Sequence, residues 1–230
     1  RGLNPLSLQR KSLTYKIKEN SFVARIAALK LRSRQVAIVF GSTIHLHNTT
    51  KEEFVKTFSK DAVSSTTLNV TDAASIDAAV DATSLAFGGV DIVINNAGIS
   101  ISKSIAEHSL EEWDKLYDIL VKGQFMVSKK GIEVMRKQGF GGDVVNIVSK
   151  NAVVAGPNNP GYGSAKAAQA HLTRLMAAEV GADKIRVNTV NPDAVIADSN
   201  IWAGGWAEGR AKAYGITVEE LPAYYAKRTL

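Results

Sequence analysis

The chain has 230 residues, a formal net charge of +6 and no cysteine. Hydrophobic residues make up 45% and charged residues 22%, values that exclude a chain that is disordered, collagen-like or coiled coil throughout. The lack of cysteine excludes disulfide frameworks, thiolate metal sites and cysteine nucleophiles, and it is compatible with the cytoplasm, where we expect the protein. No apolar run reaches about 18 residues, so we expect no membrane-spanning segment and no membrane partner.

The positive charge belongs to one end of the chain. Residues 1–35 contain nine Lys or Arg and one acidic residue, so they carry +8 and the remaining 195 residues carry −2. We interpret residues 1–34 as a basic linker or the remnant of a preceding domain, and we expect no nucleic-acid partner. Electrostatic binding of nucleic acid or an anionic membrane through this arm is the alternative, and loss of salt-sensitive binding on deletion of the arm would support it.

The predicted elements begin near the end of this arm. Phe22–Leu31 has a weak helix-like pattern, and Gln35–Phe40 is a short apolar run before Gly41 that is typical of a buried parallel strand. Lys51–Ser59 indicates a short helix, and Ser65–Val70 indicates a second strand.

From residue 73 onward, helices and strands alternate. The predicted elements are a helix at Ala73–Phe87, a strand at Asp91–Asn95, a long helix from a capping box at Ser109 to about Lys137, a strand at Asp143–Ser149, a helix at Tyr162–Val180, a strand at Ile185–Val190, and tail helices at Trp206–Tyr214 and Val218–Lys227. This alternation predicts βαβ units in an α/β fold with a doubly wound parallel sheet. Ligands of such sheets bind outside the carboxyl ends of the strands.

Three residues near one strand end suggest acid–base chemistry. Tyr162 and Lys166 are four residues apart at the start of a predicted helix and share a face, and Ser149 ends the strand before that helix. A phenol has a pKa near 10 and is a poor base at neutral pH, but a nearby ammonium favours the phenolate. With the serine hydroxyl beside it, the phenol could exchange a proton with an alcohol while hydride moves to or from carbon.

The sequence resembles the short-chain dehydrogenase/reductase family over residues 35–200. The resemblance rests on Asn95–Gly98 after a strand, on Ser149, on Tyr162–Lys166 and on Arg186–Pro192. It implies a Rossmann-type dehydrogenase domain over residues 35–230 and an NAD(P)-dependent oxidoreductase acting on a small-molecule alcohol or aldehyde. NAD is the expected cofactor, with NADP not excluded.

The resemblance also implies roles for individual residues. Tyr162 would be the catalytic acid/base, Lys166 would bind the nicotinamide ribose and tune Tyr162, and Ser149 would orient the substrate oxygen. The candidate cofactor-binding residues, drawn from the resemblance and from the strand ends, are Gly41, Asn69, Val70, Asn95, Ala97, Gly98, Tyr162, Lys166, Pro192 and Val195. We expect no metal site, because His45 and His47 share a strand face but have no third ligand nearby.

A narrower resemblance concerns the second half of the chain. Val148–Asn159, Asn191–Val195 and Trp206–Leu230 are similar to the dehydrogenase part of bifunctional rhamnulose-phosphate aldolase/short-chain dehydrogenases. This implies a small hydroxyaldehyde such as lactaldehyde as substrate and an aldolase domain in the same polypeptide. The family further implies a homo-oligomer, formed through the long helix and the Tyr162 helix, and a substrate lid over residues 198–230, although a surface-packed helix pair is an equal reading of that tail.

Several departures from the family pattern favour an alternative. Only Gly41 remains of a three-glycine phosphate loop, and the expected second strand and the last strand are missing, so the domain is expected to be incomplete by about thirty residues after Gly41. Leu120 stands where the family has an asparagine that holds a proton-relay water, and Asn69 and Asp193 replace an aspartate and a glycine. The alternative function is a catalytically degenerate module with a structural or assembly role.

Overall fold

The structure is a computed structural model that describes residues 24–31, 34–39, 55–56, 60–193, 195 and 206–227. Within these ranges the fold is built on a six-stranded sheet of order β3-β1-β2-β4-β5-β6. The strands are β1 (Ala24–Leu31), β2 (Arg34–Val39), β3 (Val63–Leu68), β4 (Ile92–Asn95), β5 (Gly142–Ile147) and β6 (Ile185–Val190).

Five of the six strands confirm the predicted parallel α/β sheet. β2, β4, β5 and β6 pair in parallel, and β3 runs in the same direction because both β3 and β2 pair antiparallel with β1. β1 is therefore a single antiparallel strand between two parallel ones, where it forms a hairpin with β2. The domain boundary predicted at residue 35 separates the two strands of this hairpin.

The helix-like pattern of Phe22–Leu31 does not produce a helix, since Ala24–Leu31 is strand β1. Alanine, leucine and lysine favour helices locally, but a strand that pairs with two neighbours satisfies backbone groups along both edges. Long-range pairing therefore overrides a weak local preference. A helix-like pattern over so few residues does not predict the secondary structure of a segment that pairs with two strands.

The main helices lie close to their predicted positions. They are α1 (Ala73–Phe87), α2 (Leu110–Tyr117), α3 (Gly123–Gln138) and α4 (Pro160–Val180). The predicted capping box is present, with the Ser109 side chain accepting from Glu112 N and the Glu112 carboxylate accepting from Ser109 N. The predicted long helix is continuous in direction but contains a π-turn at Asp118–Lys122 between α2 and α3.

The connections of the sheet explain where the helices pack. The crossovers from β3 to β4, β4 to β5 and β5 to β6 all progress in one direction across the sheet, so right-handed connections place α1, α2–α3 and α4 on one face. The crossover from β2 to β3 progresses the other way across the sheet. Residues 55–56 of that crossover are helical.

The core fills the space between the sheet and the helices. Fully buried members include Leu68, Val90, Met135 and Val144. Among the helices of the described residues, none is long and apolar enough to cross a membrane.

The tail forms a helix pair, α5 (Trp206–Tyr214) and α6 (Leu221–Ala226), as predicted. Ala207, Ala211, Leu221 and Tyr225 form a small apolar cluster of its own. The pair is also joined by a contact between the Tyr214 and Tyr225 hydroxyl oxygens at 3.2 Å. A compact pair of this kind can pack as a unit against the carboxyl edge of the sheet.

Candidate active site

Ser149, Tyr162 and Lys166 lie together beyond the carboxyl end of β5. Ser149 follows that strand by two residues, and Tyr162 and Lys166 stand one turn apart near the start of α4. All three side chains are buried, at 7%, 8% and 4% exposure. The Lys166 Nζ lies 5.5 Å from the centre of the Tyr162 ring. The structure thus brings the three predicted catalytic residues into one site.

The environment of Tyr162 acts on its phenol in two opposing ways. Burial is the larger influence and raises the pKa of Tyr162 above its usual value. A hydrogen bond with the Ser149 side chain and the positive charge of Arg210 on α5 lower that pKa in part. From the sequence, Lys166 was expected to tune this phenol; Ser149 and Arg210 also act on it, and neither effect was expected from the sequence.

The Lys166 amine is only partly protonated near neutral pH, because it is buried. Burial alone lowers the pKa of its amine to about 7. Its Nζ donates to the main-chain oxygen of Ile147 at 3.0 Å, which is the one hydrogen bond it makes within the described residues. An ammonium has three donors, so two protons remain to bind hydroxyl groups of a ligand at this strand end.

The loop after Ser149 ties the site to the tail helices. Lys150 forms an ion pair with Asp193, and its Nζ lies 5.5 Å from the centre of the Tyr225 ring. The Lys150 N–H donates to the main-chain oxygen of Pro192 at 2.9 Å, which joins the ends of β5 and β6. Asp193, at the position where the sequence departs from the family glycine, therefore holds the loop that carries Ser149.

The predicted cofactor-binding residues on β3 are placed at its carboxyl end. The Asn69 side-chain oxygen accepts from both the N–H and the hydroxyl of Thr71, at 3.0 and 2.8 Å, so it is used within a tight turn. Val70 is buried, and Gly123 at the start of α3 packs closely against it, since a Cβ on Gly123 would lie 3.0 Å from Val70 Cγ2.

The residues after β4 divide between the core and the cleft. The Asn95 side chain points into the interior, where its Nδ2 donates to Asn146 Oδ1 at 2.7 Å and to Ser128 Oγ at 2.8 Å. The Asn95 Nδ2 is therefore engaged within the core. Ala97 and Gly98 are half-buried, and a Cβ on Gly98 would lie 3.3 Å from Leu120 Cδ2.

The remaining candidates lie at the edge of the site or outside the described residues. Pro192 is half-buried after β6, and Val195 is exposed. Gly41, predicted to approach a phosphate, lies outside the described residues, as do His45 and His47.

Leu120 sits in the π-turn and is fully buried. It belongs to one apolar cluster with Leu116, Tyr162 and Ala165, so it shares the buried surroundings of the phenol. Its main-chain oxygen accepts a hydrogen bond from Gln169 Nε2 at 2.6 Å. A polar residue thus meets the backbone where the family pattern predicts an asparagine side chain.

A surface cleft of about 610 Å³ adjoins the site. It is walled by the loop of residues 151–160 together with Ser104, Ile105, Gly163 and Ser164. None of Ser149, Tyr162 and Lys166 lines it, so it is a neighbour of the site rather than part of it.

Sequence reasoning missed two residues near Tyr162, namely Arg210 and Gln169. Nothing in the sequence places Arg210 near a residue 48 positions earlier. Gln169 could have been found, because Tyr162, Lys166, Gln169 and Thr173 follow a helical period along one face, and a polar residue on that buried face needs a partner.

The sequence profile of short chain dehydrogenases matches residues 24–203, which is well over half of the chain. The chain belongs to the short chain dehydrogenase family. The match also covers β1, which the sequence had assigned to the linker. This family consists of NAD(P)-dependent oxidoreductases, and the Rossmann-like sheet described above fits it.

Similar proteins agree with the family. The chain is 44% identical over 162 residues to the uncharacterized oxidoreductase YuxG of Bacillus subtilis, a match that covers 70% of this chain and 24% of YuxG. The structure of sorbitol-6-phosphate 2-dehydrogenase SrlD from Erwinia amylovora matches with a TM-score of 0.70 at 24% identity, covering 79% of this chain and 70% of that one, and shows the shared fold. An NAD⁺-bound xylitol dehydrogenase matches with a TM-score of 0.53 at 30% identity, covering 55% of this chain and 48% of that one.

The chain spans only part of the length of its relatives. It covers 24% of YuxG and between 42% and 55% of the length of seven other curated relatives that it matches.

Proposed function

We propose that the chain transfers hydride between a nicotinamide cofactor and a small alcohol or aldehyde, with Tyr162 as the acid/base. One observation carries the proposal: Ser149, Tyr162 and Lys166 form a buried cluster at the carboxyl end of β5, where parallel α/β sheets bind ligands. A buried phenol next to a hydroxyl and an amine is an arrangement that can exchange a proton with a carbinol oxygen.

The residues present fit the nicotinamide end of such a cofactor. The Lys166 amine has donors left over for the two hydroxyl groups of a ribose, and Tyr162 lies one turn away on the same face. Ala97 and Gly98 would border the ring, because they follow β4 next to β5. When bound, the nicotinamide accepts hydride from the alcohol carbon or supplies it to the carbonyl carbon.

Proton transfer is the part of the reaction assigned to this chain. In the oxidation direction the Tyr162 phenolate oxygen takes the proton of the substrate hydroxyl, and the C–H electron pair leaves as hydride. The carbon–oxygen bond becomes a carbonyl. Ser149 holds the substrate oxygen by a hydrogen bond. The Lys166 amine, when it carries its proton, stabilises the phenolate. In the reduction direction the same groups act in reverse, with Tyr162 returning the proton.

The substrate is proposed to be a small polyol, hydroxyaldehyde or related alcohol. The likeness to a xylitol dehydrogenase supports a polyol, and the narrower resemblance to the dehydrogenase part of bifunctional rhamnulose-phosphate aldolases supports lactaldehyde. NAD is the preferred cofactor in this proposal, since the similar xylitol dehydrogenase is bound to NAD⁺.

The test is a turnover assay combined with a binding assay. Lactaldehyde, xylitol and related small polyols are offered with NAD⁺ and NADP⁺, and absorbance at 340 nm follows reduction of the cofactor. Protein fluorescence is titrated with NADH in parallel. We expect turnover of at least one substrate and saturable NADH binding. Binding without turnover of any substrate, or no response at millimolar NADH, would contradict the proposal and favour the degenerate module.

A further inference from the structure

A continuous set of buried side-chain amides and hydroxyls runs beneath the candidate active site. Asn146 Nδ2 donates to Thr173 Oγ1 at 2.9 Å, and the Thr173 hydroxyl donates to the main-chain oxygen of Gln169 at 2.8 Å. Gln124 Nε2 donates to that same oxygen at 3.3 Å. Together with the bond from Asn95 to Asn146, these contacts connect the end of β4 to the π-turn.

Gln169 is the member of this set that reaches the π-turn. Its side chain is 2% exposed, and its Nε2 donates to Leu120 O at 2.6 Å and to Gln124 Oε1 at 2.7 Å. A main-chain oxygen only accepts, so the amide orientation follows from the chemistry of its partners. The Gln169 Oε1 is buried with no hydrogen-bond partner among the described residues. Burying an amide oxygen without a hydrogen bond costs free energy, so the presence of Gln169 here indicates a role beyond packing.

The bond to Leu120 acts at the point where the helix departs from α geometry. A π-turn interrupts the regular pairing of N–H groups with carbonyls four residues earlier, and here the Gly123 N–H bonds to Asp118 O, five residues earlier. The Gln169 amide holds a carbonyl of this widened turn. The Leu120 side chain, which this turn carries, belongs to one apolar cluster with Tyr162 and lies close to Gly98, where an added Cβ would come within 3.3 Å of Leu120 Cδ2.

We propose that Gln169 is a positioning residue for Tyr162: it holds the Leu120 carbonyl, and thereby keeps the Leu120 side chain wedged between the Tyr162 ring and the loop at Gly98. The catalytic consequence rests on the function proposed above, whereas the structural consequence does not. The family pattern has a polar asparagine side chain at position 120. Here Gln169 on α4 supplies the polar group instead, by donating to the Leu120 carbonyl.

The deciding variant is Gln169→Met, which keeps the length of the side chain and removes both donors. Its matched control is Gln138→Met at the far end of α3. Gln138 also bridges an amide to backbone, accepting from Val90 N at 2.7 Å and donating to Val90 O at 3.0 Å, but it does so away from the site. Both variants lose buried or half-buried amide bonds, so a general loss of stability affects both.

Three readouts separate positioning from stability. Hydrogen exchange at the amides of residues 121–125 should become about tenfold faster in Gln169→Met, because a lost buried hydrogen bond lowers the cost of local opening. The Tyr162 phenol is titrated by absorbance as the difference between each protein and its Tyr162→Phe partner. Its pKa should fall by about one unit as Leu120 shifts and water reaches the ring. The groups facing this phenol are Ser149, Lys166 and Arg210, and they are unchanged in both variants.

The third readout is kinetic. In Gln169→Met, kcat should fall by about tenfold to a hundredfold while KM for the cofactor stays within about twofold, since misplacement of one reacting group affects chemistry more than binding. Gln138→Met should leave all three readouts at the values of the unmodified chain.

The outcomes decide between the two proposals. Identical exchange and phenol titration in Gln169→Met and Gln138→Met would overturn the positioning role, whatever the kinetics. An unmodified chain without turnover would refute the proposed function, while exchange and titration still decide the role of Gln169. If Gln169→Met fails to fold, the double variant Gln124→Met/Gln169→Met replaces both buried amides with apolar groups and carries the same test.

Discussion

Burial opposes charge on Tyr162 and Lys166, the two buried ionisable residues of α4. It raises the pKa of Tyr162 and lowers that of Lys166 to about 7. At neutral pH the site therefore holds a protonated phenol next to an amine that is charged in only part of the molecules. A bound ribose or substrate oxygen that accepts from the amine would restore its charge, and that charge would then favour the phenolate. In the proposed function, this arrangement would couple ligand binding to proton transfer.

The Lys166 amine gives a prediction about stability. Its pKa is lowered in the folded chain from the usual 10.5 to about 7, so between these pH values the unfolded chain binds a proton that the folded chain does not. The free energy of unfolding should therefore rise with pH across this window, on the order of 3–5 kcal/mol from this group. Lys166→Met should remove that rise, measured by urea unfolding at pH 7, 8, 9 and 10.

Lys129→Met is the control for this measurement, because Lys129 is exposed on α3. It should keep the pH dependence of the unmodified chain. If Lys166→Met and the unmodified chain show parallel curves between pH 7 and 10, the amine is not buried as described.

At the scale of elements, the close packing of α3 on β4 sets how near the π-turn lies to the site. Gly131 faces Val93, and a Cβ on Gly131 would lie 2.5 Å from Val93 Cγ2. Val93 is fully buried in the core and cannot move freely. The close approach of this helix to the sheet brings the π-turn and Leu120 down to Tyr162.

Gly131→Ala should lower the free energy of unfolding by about 1–3 kcal/mol, because the added methyl group overpacks the contact between helix and sheet. Gly209→Ala is the matched control, since a Cβ on Gly209 in α5 meets nothing within 4 Å. That variant should be neutral or slightly stabilising, as alanine favours a helix over glycine. Equal unfolding midpoints in urea for both variants would show that α3 does not pack against Val93.

The elements also show where sequence reasoning succeeds. The alternation of buried strands and long helices predicted β4, β5, β6, α1 and α4, because each is regular enough to be recognised locally. Strand β1 was predicted as helix-like, because its strand structure depends on pairing with two strands, one of them 32 residues further along the chain. The π-turn was also missed, because it is a change of one hydrogen-bond step within a helix whose pattern is otherwise regular.

The site divides in the same way. The spacing of Tyr162 and Lys166 on one helix face and the position of Ser149 after a strand were enough to predict that they lie together. The inward direction of Asn95 and the reach of Gln169 to Leu120 depend on partners 51 and 49 residues away, which no local pattern contains.

At the scale of the whole molecule, the positive charge lies at one end of the chain. The basic residues concentrate in the first 35 positions, while residues 36–230, which hold the site, the tail helices and most of the sheet, have a net charge of −2. The family match begins at residue 24, so the sheet extends into the basic segment. Tail and body meet through Lys150, Asp193 and Tyr225, which places Arg210 where its charge acts on Tyr162.

The most direct test of the proposed function is turnover by Tyr162→Phe, which removes one hydroxyl oxygen from the site. With the best substrate found and NAD⁺, kcat/KM should fall by about a thousandfold, within the usual range for loss of an acid/base, while NADH binding and the thermal unfolding midpoint change little. Tyr117→Phe, which removes a hydroxyl from the neighbouring helix α2, should retain full activity. Turnover by Tyr162→Phe within tenfold of the unmodified chain would contradict the assignment of Tyr162 as the acid/base.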